Sequence, residues 1–177
     1  MERHPLKKGY VHIYTGDGKG KTTAALGLAI RAAGYGMKTY IGQFMKGQHY
    51  GELTSLHDHP YITIEQYGDA ECVHREEITQ KHVDHAQQGL KRAQEIMLSN
   101  QYNIIILDEI NVAVWFDLIA THQVLEFLNN RPEHMEIILT GRRAPAALVE
   151  IADVVSEVKE IKHPYHRGIT ARIGIER

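Results

Sequence analysis

Val11-His12-Ile13-Tyr14-Thr15-Gly16-Asp17-Gly18-Lys19-Gly20-Lys21-Thr22-Thr23 joins an apolar run to the start of a helical pattern through a glycine-rich turn. This stretch decides the fold. Glycines at 16, 18 and 20 let the backbone bend so that several N–H groups converge on one polyphosphate, and the following helix N-terminus adds partial positive charge at the same spot. Lys21 would reach the outer phosphates, and the Thr22 hydroxyl would ligate magnesium. The usual pattern carries a glycine five residues before Gly20, where this chain has Thr15, so the loop is a variant of the standard one.

Working outward, strand and helix patterns alternate with no linker-like stretch or internal repeat, which predicts an α/β fold with a mostly parallel sheet flanked by helices. Strands are expected over Tyr10–Thr15, Lys38–Phe44, Tyr61–Tyr67, Asn103–Leu107, Glu136–Thr140 and Val154–Lys159, with Ile169–Ile175 as a seventh, terminal strand. Ile62 and Ile64 alternate with polar neighbours, so the third strand should lie nearer a sheet edge than the fully apolar runs. A first helix runs from about Thr22 to Ala33 and closes at Gly34-Tyr35-Gly36. From about Thr79 to Ser99, Val83, Ala86, Leu90, Ala93 and Met97 form the stripe of a helix packed on the sheet.

The 177 residues, 43% hydrophobic, suit a single nucleotide-binding domain spanning 1–177. A net charge of −2 argues against a nucleic-acid partner held by bulk electrostatics. One cysteine, Cys72, excludes an internal disulfide framework, and no apolar run approaches membrane-spanning length. The expectation is a soluble cytoplasmic protein with no membrane partner.

In open α/β sheets ligands sit beyond the carboxyl ends of the strands. There Ile104-Ile105-Ile106-Leu107 runs into Asp108-Glu109, so a carboxylate is available to hold a metal, although which of the two acids does so is not readable. Thr140-Gly141 leads into Arg142 and Arg143. Arg142 is the better phosphate candidate, since a guanidinium fork offers paired donors to phosphate oxygens. Arg143 reads as a solvated surface residue, and Arg31, late on the first helix, stays open between ligand and surface.

Gly16–Ala25, Gln43-Phe44-Met45-Lys46-Gly47, Leu107–Asn111, Thr140-Gly141-Arg142 and Lys162-His163-Pro164-Tyr165, with Gly168 and Gly174-Ile175-Glu176, together resemble the ATP:corrinoid adenosyltransferases of the CobA/CobO/BtuR type. The resemblance spans nearly the whole chain. It implies a RecA-like phosphate-loop fold, a homodimer, and transfer of the 5′-deoxyadenosyl group of ATP to the cobalt(I) of a corrinoid with release of tripolyphosphate. A flavoprotein reductant and magnesium or manganese belong to the same implication. Carried over by motif, Gly16, Asp17, Gly18, Lys19, Gly20, Lys21, Thr22, Thr23 and Arg142 bind ATP, and Thr22 and Glu109 hold the metal. Lys21, Thr22 and Glu109 form the catalytic set, while Gln43, Lys46, Tyr67 and Asn111 line the corrinoid cleft.

The chain departs from the family where some members carry Gly-Phe-x-Trp after the third strand, with aromatics that pack beneath the corrin. Here that stretch reads Gly68-Asp69-Ala70-Glu71. Tyr67 or His74 would then replace those aromatics, or the acceptor would differ at its lower face. His166-Arg167 also stands where a small or acidic pair is more usual. Twelve histidines include His57 and His59, His82 and His85, and His163 and His166, but no third ligand accompanies any pair, so these read as surface residues. Cys72 falls in a loop near the expected corrin face and reads as incidental. Two rivals remain open on sequence. One is a RecA-like ATPase in which Glu109 polarises water, and the other is a catalytically silent nucleotide-binding regulator.

Overall fold

The computed structural model describes residues 6–71 and 73–176. Six parallel strands form one sheet: β1 (Val11–Thr15), β2 (Thr39–Phe44), β3 (Ile62–Tyr67), β4 (Ile104–Asp108), β5 (Glu136–Thr140) and β6 (Val154–Glu157). Their order across the sheet is β3-β2-β4-β5-β1-β6, so β5 lies between the strand that feeds the glycine loop and the strand that ends in Asp108. The α/β class is borne out, as is the placement of β3 at an edge. The expected seventh strand is not formed; residues 169–172 carry no regular structure and 173–176 form a turn. Among the described residues the sheet ends at β6, whose four residues are all exposed.

Each strand's alternation sends its side chains to two different cores. Ile41, Ile104, Ile106 and Ile138 pack with Ala25, Ala29 and Ala32 of α1 (Lys21–Ala33), small residues that let the helix lie close on the sheet. On the other face Phe44, Ile105, Leu107 and Ile137 pack with Ala86, Leu90, Ala93 and Met97. Those last four are the predicted stripe of α3 (Gln80–Leu98), whose flanking residues are Thr79 and Ser99. Four shorter helices were not legible from the pattern: α2 (Gly51–Ser55), α4 (Ile110–Trp115), α5 (Thr121–Asn129) and α6 (Ala146–Ile151).

Two glycines fix where helix and loops can sit. A Cβ at Gly89 of α3 would lie 2.6 Å from the Tyr67 ring and 2.9 Å from Phe44, so the helix approaches β2 and β3 only because nothing stands there. Gly47 and Gly68 lie against each other's segments, and a Cβ on either would come within 2.4 Å of backbone. The loops after β2 and β3 are thereby clamped together above the carboxyl ends of their strands.

Candidate nucleotide site

The glycine loop is shaped by what lies behind it as much as by what it would bind. Gly16 and Gly20 have φ of 94° and 119°, in the region that L side chains rarely adopt. A Cβ at Gly16 would lie 2.5 Å from the Val158 carbonyl oxygen, and one at Gly18 would lie 2.8 Å from the same atom. The Gly18 N–H donates to that oxygen at 2.7 Å, so the loop rests on the chain just beyond β6. Lys21, only 7% exposed, folds back to donate to the carbonyls of Gly16 and Gly18, both at 2.7 Å. Burial pushes its pKa down, with the nearby Glu109 charge working against that shift.

Asp108 is the hub beneath the loop. Strand alternation places it on the same face as Ile104 and Ile106, the face that α1 covers, and so under the first turn of α1. Its Oδ1 accepts from Thr22 at 2.8 Å and from Thr140 at 2.6 Å. Its Oδ2 accepts from Lys46 Nζ at 2.7 Å and from Gln43 Nε2 at 3.4 Å. Burial works against the Lys46 charge, but the Asp108 carboxylate outweighs it and the ammonium ends above its usual range. Gln43 also donates to Glu52 at 3.0 Å and accepts from Gln66 at 3.0 Å.

Glu109 leaves the strand in a left-handed conformation with φ of 60°, an unfavourable state for a residue with a side chain, and its N–H donates to the Thr140 hydroxyl at 2.9 Å. Burial and the neighbouring Asp108 charge push its pKa up, offset in part by Lys46, Lys21 and Arg142. Arg142 is exposed and lines the same cleft of about 760 Å³ as the loop, Lys46 and Glu109. His163 and Gly174-Ile175-Glu176 close that cleft from the C-terminal side.

The structure thus brings Asp17, Gly18, Lys19, Gly20, Lys21, Thr22 and Thr23 to one cleft with Lys46, Glu109 and Arg142, and it places Gln43 beside Lys46 on Asp108. Asn111 is fully buried nearby. Its Nδ2 donates to the Gly141 carbonyl at 3.4 Å, and its Oδ1 has no hydrogen-bond partner among the described residues. Tyr67 is not brought there. It stands on the opposite face of the sheet, where its hydroxyl bonds Glu65 and, at 2.9 Å, Tyr40, beside Arg92. Arg31 is exposed at the end of α1, where its charge acts on Tyr14, and it is not among the residues that line the cleft.

Three residues in this site were not singled out from sequence: Asp108 as the partner of Thr22, Thr140 beneath both acids, and Glu52 beside Gln43. The strand period already put residue 108 on the α1 face, which was the available signal. Among the histidines, His82 and His85 lie near Asp69, at 3.0 and 3.6 Å, and His166 pairs with Glu160. No group of three or more His, Cys, Asp or Glu side chains suited to a metal ion occurs among the described residues. Cys72 lies outside them.

This cleft accompanies a match along the chain. A model of the family described as ATP:corrinoid adenosyltransferase BtuR/CobO/CobP covers residues 7–177. The chain belongs to the ATP:corrinoid adenosyltransferase family. It is 35% identical to a corrinoid adenosyltransferase of Sinorhizobium sp. over 96% of this chain and 81% of that protein. Against the corrinoid adenosyltransferase of Escherichia coli (strain K12) identity is 33% over 96% of this chain and 86% of the relative. Against corrinoid adenosyltransferase CobA of Salmonella typhimurium it is 34% over the same shares. As in the rest of this adenosyltransferase family, the chemistry belongs to an ATP-dependent alkyl transfer. No helix among the described residues is long and apolar enough to cross a membrane.

Proposed function

We propose that this adenosyltransferase moves the 5′-deoxyadenosyl group of ATP to the cobalt(I) of a corrinoid, on a RecA-like phosphate-loop scaffold, and releases tripolyphosphate. The cobalt–carbon bond forms at C5′ as the C5′–O bond breaks, and the electron pair leaves with the phosphate oxygen. No proton has to move at the reacting carbon, so the protein's work is to bind and stabilise a highly charged leaving group.

The observation that carries this reading is the convergence of Lys21, Lys46 and Arg142 on one cleft around the loop. Lys21 would exchange the carbonyls of Gly16 and Gly18 for phosphate oxygens, and Arg142, which makes no hydrogen bond or ion pair among the described residues, would turn its fork onto the same phosphates. Lys46 sits 3.5 Å from the Thr22 hydroxyl and would neutralise charge near Asp108. Gln43 would fix the Lys46 end of the cleft through Glu52.

The donor set also fits a small divalent cation. Thr22, Asp108 and Glu109 offer only oxygen, and the burial of Glu109 beside the Asp108 charge favours a cation there. With fewer than three side-chain carboxylates or imidazoles grouped there, phosphate oxygens and water would complete the shell. Magnesium or manganese, when bound, supplies Lewis-acid stabilisation of the departing triphosphate. Thr22 and Glu109 would hold it, with Asp108 setting the Thr22 hydroxyl. A homodimer, a cytoplasmic location and a flavoprotein reductant complete the proposal.

The test is anaerobic: ATP, magnesium and chemically reduced corrinoid are mixed with the protein, the corrinoid spectrum is followed and the phosphate product is identified. A photolabile adenosylcorrinoid formed with tripolyphosphate is the expected outcome. ADP and phosphate with no cobalt–carbon product would refute the proposal in favour of hydrolysis.

A further inference from the structure

Trp115, the chain's single tryptophan, ends α4 with 41% of its surface exposed. Two guanidinium groups reach its indole. Arg143 Cζ lies 5.6 Å from the ring centre and Arg75 Cζ 5.9 Å. The three residues come from separate segments: the loop after β3, the end of α4 and the turn after β5. Arg75 is already held by Asp117 at 2.5 Å, whereas Arg143 makes no hydrogen bond or ion pair among the described residues.

Arg143 also keeps a left-handed backbone, with φ of 58°, a conformation unfavourable for a residue with a side chain. It directly follows Arg142, which lines the nucleotide cleft, and Trp115 belongs to the helix that begins straight after Glu109. Arg143 therefore stands just past the carboxyl end of β5, one residue along the chain from the cleft. Arg75 comes from the segment after β3 that also carries Gly68-Asp69-Ala70-Glu71. A guanidinium held over an indole face by cation–π attraction uses none of its N–H donors there, so the fork stays available for paired bonds to a carboxylate or phosphate.

We propose that Arg143, supported on Trp115 beside Arg75, binds an anionic substituent of the corrinoid acceptor and so sets which acceptors are preferred. The inference rests on the transferase reading above. The anion is a carboxylate at the corrin rim or the phosphodiester of a lower nucleotide; both offer the same pair of oxygens.

Arg143→Gly tests it without threatening the fold, since glycine adopts the backbone of this position freely. Three reduced acceptors are compared: cob(I)yrinic acid a,c-diamide with free rim carboxylates, cob(I)alamin with its phosphodiester, and cobinamide with neither. The expected result is a KM about tenfold higher for one of the two anionic acceptors with kcat within twofold, while the KM for cobinamide and for ATP stays within twofold. Which acceptor responds identifies the anion. Arg143→Lys should recover part of the loss, because it keeps charge but not the fork. Quenching of the Trp115 fluorescence by the unreduced corrinoids should give a parallel shift in Kd, a readout independent of turnover. An equal change for all three acceptors, or no change for any, would overturn the inference and leave the transferase reading intact. If the parent protein adenosylated none of the three, both would fall.

Discussion

Replacing Asp108 by asparagine changes one oxygen for one NH2 group, at the point where four side chains meet. If the remaining oxygen keeps its place between Thr22 and Thr140, the new amide points its hydrogens at the Lys46 ammonium and the Gln43 amide, so donor faces donor. Lys46 is also left without its counter-ion. Breaking a buried ion pair on one side costs about 3–5 kcal/mol, and the lower end applies here because Glu52 at 4.0 Å and the Tyr50 ring at 5.1 Å remain beside the ammonium. About 3 kcal/mol in a chain of this length corresponds to a thermal midpoint lowered by roughly 6–12 °C. Circular-dichroism melts of the parent, Asp108→Asn, Lys46→Met and the double variant check this. Removing both charges leaves no orphan, so the double variant should be more stable than the summed losses by more than about 1 kcal/mol. Strict additivity, or an Asp108→Asn midpoint within about 2 °C of the parent, would refute the reasoning.

Lys21→Ala should cut adenosyl transfer by at least about 10²-fold in the anaerobic assay, while the melting midpoint stays within about 2 °C, because burial already disfavours that charge in the fold. Gly89→Ala and Gly27→Ala should move stability in opposite directions by melting: the first overpacks Tyr67 and Phe44 and loses about 1–2 kcal/mol, whereas the second meets nothing within 4 Å and gains about 0.5–1 kcal/mol. Glu65 is held below the ordinary carboxylate range: partial burial opposes its ionisation, but hydrogen bonds from Tyr67, Arg92 and Tyr40 overcome that opposition. Its contribution is therefore complete above its ordinary pKa of 4.5 and lost as pH falls through the lower folded value. Glu65→Gln should flatten that acid limb in urea titrations run between pH 6 and 3; an unchanged slope would contradict the assignment.

The sheet was legible because its central strands are buried on both faces and read as unbroken apolar runs, as in Ile104–Leu107. Helix α3 announced itself through a stripe long enough to average out polar interruptions. The short helices did not, since α2 and α6 span fewer than two turns and carry no complete period. The tail around Ile169–Ile175 has an alternating look, but every residue of it is exposed and Gly174 turns it with a φ of 75°, so it buries no face against the sheet. At the site, the loop's residues were readable because their spacing is local. The partnership of Thr22 with Asp108 was harder, being a contact across 86 positions, and it depended on which face of β4 meets α1. Tyr67 was drawn toward the cleft by its place at the carboxyl end of β3, yet strand alternation turns it to the α3 side.

The Gly18 amide is engaged by Val158 before any nucleotide arrives. One amide of the phosphate loop is therefore tied to the residue that directly follows the edge strand β6. When β6 frays, that proton becomes exchangeable and the cradle loses its back wall in the same event. Deuterium uptake at a single glycine would thus count the openings of a whole edge, and ATP, by filling the cradle, would slow a clock kept on the far margin of the sheet.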